Sequence, residues 1–340
     1  MYNKSFYPKE KILITILLFT FTLFLIWISL ISGNKGIVIS DTFRIFQKED
    51  IFSIILFEIR LPRTLAAFFV GASLGLSGAL MQAVLKNPLA SPFTLGISQA
   101  SAFGASFAII VLQAYSVTSA MQASFLTAIF AFTASMICTL IIVSLGKKAK
   151  MTSESLILFG VALGAFFSAF TMLLQYFAED TDAAATLFWT FGDLSKANSF
   201  SIILISSFLL FSTVIYFKVF WKFDALMLGE DNAKALGINT QKLRLNAMII
   251  ASLLSAISVC FFGIIGFIGL IAPHIVRLFF GNSHKYVLIL SLFSGGILLL
   301  LADIISRTIM LPIIIPVGII TSMLGAPLFL YFLYKRSQRC

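Results

Sequence analysis

The chain has 340 residues, of which 59% are hydrophobic and only 11% charged, with a formal net charge of +10 and a mean hydropathy of +1.03. A soluble domain of this size needs roughly a quarter of its residues charged, so the composition excludes a water-solvated globule and makes lipid the solvent. The excess cations lie in short segments between apolar runs rather than on one contiguous face. That pattern sets membrane orientation and does not provide a nucleic-acid surface.

Taken in chain order, the apolar runs predict helical spans near 12–31, 64–85, 93–113, 121–145, 155–177, 200–221, 246–270, a short one near 273–281, then 287–307 and 314–334. Most reach the ~20 residues that cross a hydrocarbon core. Helices are required because they satisfy their own backbone groups there. Lys4, Lys9 and Lys11 precede the first run as in a signal peptide. That run is too long for an h-region and lacks a small-x-small cleavage site, so it is read as the first span.

With both termini inside, the inner segments carry Lys147, Lys148, Lys150, Lys222, Lys234, Lys242, Arg244, Lys285, Lys335, Arg336 and Arg339. The outer segments hold Asp41, Glu49, Asp50, Glu58, Glu179, Asp180, Asp182 and Asp193, with 178–199 as an outer connection. The Lys/Arg asymmetry is the part that orients the chain. A faint repeat supports the even count. Ser77-Gly-Ala-Leu-Met-Gln leads to Asn87-Pro-Leu-Ala-Ser-Pro92 and Gly96, while Phe262-Gly-Ile-Ile-Gly-Phe-Ile-Gly269 leads to Ala272-Pro273-His and Gly281. Five helices per half would make the halves inverted, as in many transporters.

Four segments stand out. Arg60-Leu-Pro-Arg63 sits at the outer start of the second span, and Arg307 lies at the same level, one turn after Asp303. These cations are either interfacial anchors or functional ions at a membrane edge, and Asp303–Arg307 is also a neutralising i,i+4 pair. Asn87, Pro88, Pro92 and Pro273 read as helix breaks, because proline removes a donor and frees a carbonyl. The polar loop of about 222–245 contains Leu228-Gly229-Glu230-Asp-Asn-Ala233-Lys-Ala-Leu236-Gly237, a short exposed helix that needs a partner for its apolar face. Gly160, Gly164 and Ser168, and Gly318, Ser322 and Gly325, form small-residue rows. Such rows serve close helix packing or line a pathway, and spacing does not separate the two.

Three cysteines without metal-like spacing, two histidines ten residues apart (His274 and His284) with no carboxylate cluster nearby, and the lack of a Walker loop predict no catalytic centre, metal or cofactor. A secondary transporter would need coupling-ion acids inside the spans, and a membrane-embedded enzyme would need clustered His, Asp or Glu. Neither pattern is present in the sequence.

The runs RLPRTLAAFFVGASLGLSGALMQAVLKNPLASPFTLGIS, LGEDNAKALGI, GFIGLIAPHIVRLFFG and LLLLADIISRTIMLPIIIPVGIITSMLGAPLFLYFL resemble the FecCD family of ABC permeases, which serve ferric siderophores, haem and vitamin B12. The resemblance implies an all-α, ten-helix permease of two inverted five-helix halves, forming a single polytopic domain over 1–340. It further implies multi-pass insertion in the bacterial cytoplasmic membrane and dimerisation with a second copy or paralogue around a central pathway. Two cytoplasmic ATPase subunits and an extracytoplasmic binding protein are the implied partners. By the same resemblance, Arg60, Arg63 and Arg307 would dock glutamates of the binding protein. Gly229, Glu230, Ala233, Leu236 and Gly237 would seat in the ATPase cleft. Iron–siderophore ranks above haem and B12 as cargo.

Overall fold

The computed structural model describes residues 8–33, 51–114, 119–148 and 152–337. The expected outer acids Asp41, Glu49 and Asp50, together with Lys4, Lys150, Arg339 and Cys340, lie outside the described residues.

Among the described residues every regular element is helical. We number the α-helices in chain order: α1 (Pro8–Ile31), α2 (Leu61–Leu85), α3 (Ile97–Ser106), α4 (Ala120–Lys148), α5 (Ser153–Phe177), α6 (Asp180–Thr190), α7 (Ser199–Met227), α8 (Glu230–Ala235), α9 (Thr240–Phe262), α10 (Ile268–Phe280), α11 (His284–Thr308) and α12 (Val317–Ser337). A short turn, Ile51–Ile54, and a π-helical segment, Ile55–Arg60, lead directly into α2, and a second π segment, Phe107–Val111, extends α3. Seven helices are long and apolar enough to cross a membrane, while α3 with its extension, α10 and α12 are shorter apolar helices. Together these make ten spans, at the places the hydropathy predicts.

Three boundaries differ from the sequence reading. The outer connection 178–199 contains α6, which buries Trp189 and Thr186. The seventh span ends at Phe262, and the break falls on 263–267, bounded by left-handed Gly263 and Phe267. Pro273, expected to be a break, lies inside α10. Proline removes the donor that the carbonyl four residues back would use. Here that carbonyl, Gly269 O, is met by Gln82 Nε2 at 3.5 Å, with Leu270 O at 3.4 Å. A substitute donor from α2 lets the helix run through its proline.

Polar side chains start the spans where the chain turns. Thr152 accepts from Ser155 N at α5, Asn198 and Ser201 form a capping box at α7, and Asn239 accepts from Lys242 N at α9. Each satisfies amide donors that an N-terminus leaves orphaned.

Burial identifies the centre. Of an 18-residue window in each helix, 83% is buried in the α2 span, against 17% in α1 and 28% in α5 and α7. α2 packs against α11 along glycines, so closely that a Cβ on Gly75 would stand 2.1 Å from Ser291 O and one on Gly71 2.4 Å from Gly295 O. Small residues let helix backbones approach in lipid, where no hydrophobic force drives them together. The pairing of elements repeats between the halves. α3 lies against α4 and α5 as α10 lies against α11 and α12, and α9 packs on α4 as α2 packs on α11. Since each half has five spans, the second enters the membrane from the opposite side.

Candidate functional site: an outer arginine knot, an inner coupling helix and two broken helices

Three arginines converge at the outer ends of α1, α2 and α11. The last carbonyls of α1 have no partner within their helix, and the arginines supply it. Arg60 Nη1 donates to Leu30 O (3.0 Å) and Ile31 O (3.2 Å), while Arg307 Nη1 donates to Ser29 O and Ser32 O (both 3.1 Å). Positive charge at a helix C-terminus also complements the macrodipole. Arg307 Nη2 reaches Ser29 Oγ at 2.7 Å, and Ser29 Oγ lies 2.7 Å from Thr64 Oγ1.

Asp303, fully buried, ties the remainder together. Its Oδ1 accepts from Arg63 Nε at 2.7 Å and its Oδ2 lies 2.8 Å from Arg307 Nη2. The expected convergence of Arg60, Arg63 and Arg307 is present. Their expected display on an open rim is not, since each is only 5–6% exposed. Low-dielectric burial is tolerable because each guanidinium finds carbonyl or carboxylate acceptors. Exposed side chains at this level include Glu58, Glu179 and Asp180.

At the inner end, α8 occupies the polar loop. Gly229 enters it at φ +124° and Gly237 leaves it at φ +75°. Ala233 is fully buried against the membrane domain, and Glu230 pairs with the mostly buried Arg244 of α9. Asp231 and Lys234 form an exposed pair at 3.7 Å. The apolar face expected to seek a partner is therefore divided. Ala233 seats the helix on its own chain, while Leu236 is 63% and Leu228 73% exposed.

The small-residue rows seat on the two breaks. Residues 86–96 form the first break. Asn87 Oδ1 accepts from Leu89 N (2.9 Å), Ser91 and Thr94 bond reciprocally through side chains and backbone amides, and Pro88 and Pro92 lie among the turns. A Cβ on Gly160 would stand 2.6 Å from Leu95 Cα, and one on Gly164 3.3 Å from Gly96 Cα. At the second break, a Cβ on Gly318 would stand 2.5 Å from Ile264 O and one on Gly325 2.5 Å from Phe267 Cβ. Ser168 is half-buried and Ser322 exposed. The buried glycines are thus packing positions, and the repeat extends to α5 and α12.

The FecCD transport family matches residues 21–335. This chain belongs to the FecCD transport family. The FecCD chain is 43% identical over 98% of its length to a protein of Methanocaldococcus jannaschii named as an ABC transporter permease, 97% of which is covered. It is 38% identical, over 83% of both chains, to a Helicobacter pylori permease named for iron chelatin transport. A solved inward-facing structure described as a metal-chelate type ABC transporter superposes with a TM-score of 0.80 at 30% identity, over 97% of this chain and all of that one. The chain is accordingly a multi-pass ABC importer permease, a transport subunit and not itself a catalyst.

The sequence reading missed several residues that the geometry of this FecCD permease brings into these sites. Gln82, Arg244 and Ser29 act through contacts whose partners lie far along the chain. Gly71 and Gly75 did carry a signal, a Gly-x-x-x-Gly pair within an apolar span.

Proposed function

We propose that this permease moves an iron–siderophore complex across the cytoplasmic membrane by alternating access, paired with a second permease copy or paralogue. ATP is hydrolysed by separate cytoplasmic ATPase subunits, and an extracytoplasmic binding protein delivers the cargo. The observation that carries the reading is the inner helix α8. It is anchored to the membrane domain by Ala233 and the Glu230–Arg244 pair, yet leaves Leu228 and Leu236 uncovered. A helix braced on one side and apolar on the other suits a rigid lever, through which a bound ATPase shifts α7 and α9. Iron chelate is favoured as cargo by the names of the Helicobacter pylori relative and the metal-chelate transporter, and haem and vitamin B12 are the alternatives.

The arginine knot retains net positive charge, since three arginines face one aspartate. We assign it the docking of glutamates on a binding-protein lobe, against the exposed Glu58, Glu179 and Asp180 at the same level, in addition to its role in holding α1. The deciding experiment reconstitutes the permease with its ATPase and binding protein in liposomes. ATP-dependent uptake of a ferric siderophore, and not of haem or cobalamin, is the expected result. Uptake of only haem or cobalamin overturns the cargo, and uptake indifferent to ATP overturns the coupling.

A further inference from the structure

A cavity of about 370 Å³ opens at the inner end of the bundle, between the end of α2, the 86–96 break and the last turns of α10. Met227, which immediately precedes the α8 turn, forms part of its wall. The lining carries Lys86 and Arg277 and no carboxylate. Asn87, Gln82, His274 and His284 supply polar groups.

The two cations are held there without a counter-ion. Arg277 is half-buried, and its Nη1 donates to the neutral Oε1 of Gln82. The amide of Gln82 is oriented by its own contacts to Gly269 O and Leu270 O. Lys86 occupies the left-handed C-cap of α2 at φ 47°, a place usually taken by glycine or asparagine. No carboxylate among the described residues lies within ion-pair distance of either cation. Asp224 is engaged by His284, accepting from its backbone N and lying 2.8 Å from its Nδ1. Arg277, half-buried and without a carboxylate partner, lines this recess together with the exposed Lys86, and a bound anion would supply the missing counter-charge to both.

We propose that this cavity is an oxyanion site that takes a phosphate group. Arg277 supplies a planar fork that matches two phosphate oxygens, and Lys86 supplies a point charge on a third. Asn87 and His274 complete the donor set. With about 30 Å³ of liquid volume per water, the cavity holds a phosphate with its attached organic group. That phosphate is either part of a soluble inner-side compound or the headgroup of an anionic phospholipid.

The test uses the full-length chain in detergent micelles. Inorganic phosphate is titrated against chloride at constant ionic strength, and phosphatidylglycerol against phosphatidylcholine, with bound ligand read by native mass spectrometry. Saturable binding of at least one probe is expected. Lys86→Gln and Arg277→Gln should each weaken it by about tenfold or more, and Lys285→Gln, on the same inner side but outside the cavity, should leave it unchanged. Binding of phosphate identifies a soluble ligand, and binding of phosphatidylglycerol alone identifies a lipid. The proposal is overturned if neither probe exceeds its control, or if binding survives Lys86→Gln. Should Arg277→Gln fail to insert through loss of its Gln82 contact, the exposed Lys86 decides alone.

Discussion

Replacing Asp303 by Asn isolates what the outer knot does for the fold. The substitution keeps the shape of the side chain and removes the one carboxylate shared by Arg63 (2.7 Å) and Arg307 (2.8 Å) at a fully buried position. Breaking one buried ion pair by removing a partner costs about 3–5 kcal/mol, because the remaining charge is left uncompensated. Arg307 keeps its bonds to Ser29 and Ser32, whereas Arg63 keeps a 3.4 Å contact to Ser306 Oγ. The greater share of the loss should therefore fall on Arg63. With about 2.1 cal/mol/K of unfolding entropy per residue over 340 residues, each kcal/mol moves the melting midpoint by about 1.4 °C, so that of the purified protein should fall by roughly 4–7 °C. Adding Arg63→Gln to Asp303→Asn should recover part of that loss, since it removes the stranded cation. A single variant melting within about 1 °C of the parent, or a double variant that melts lower still, would refute the argument that burial rather than rim display defines this cluster.

Leu236→Arg should leave melting unchanged, since Leu236 is exposed, and should weaken ATPase association about tenfold or more. Unchanged co-purification with the ATPase would remove α8 from coupling. Glu230→Arg is a poorer probe, because it also places a second cation beside Arg244. Gly75→Ala should destabilise by about 1–3 kcal/mol or more, since its Cβ meets backbone, while Gly266→Ala, whose Cβ would meet only Ser322 Oγ at 3.6 Å, should be tolerated. Equal thermal stability of these two variants would contradict the glycine seam. Cysteines placed at Ala184 and Lys148, in a background lacking Cys340, should react with impermeant reagents from opposite sides of the membrane, and labelling from one side would break the ten-span topology.

Ten spans were legible because a membrane demands long apolar runs, and Lys147 and Lys148 mark an inner end whatever the packing. Pro273 shows the limit of local rules. Its effect on α10 depends on Gln82, 191 positions earlier, which meets the freed carbonyl. Arg60, Arg63 and Arg307 were found by type and level, but their burial depends on where α1 ends and on Asp303 reaching back 240 positions to Arg63. The small-residue rows were visible as spacing. Only the positions of Leu95, Gly96, Ile264 and Phe267 reveal what those rows face.

The two breaks interrupt the helical backbone ladder, and backbone so interrupted is tolerated in a membrane protein where protein covers it. α5 covers one and α12 the other, with glycine backbone lying within van der Waals range of Leu95–Gly96 and of Ile264–Phe267. Neither cover can slide off its break without opening the close backbone contact at its glycines. Each break and its cover must therefore travel as one rigid block during a transport cycle. Bending is left to the joints outside those blocks, among them the connection at 309–316, so the stroke of the permease falls at the ends of its helices while each break and its cover moves as a solid piece.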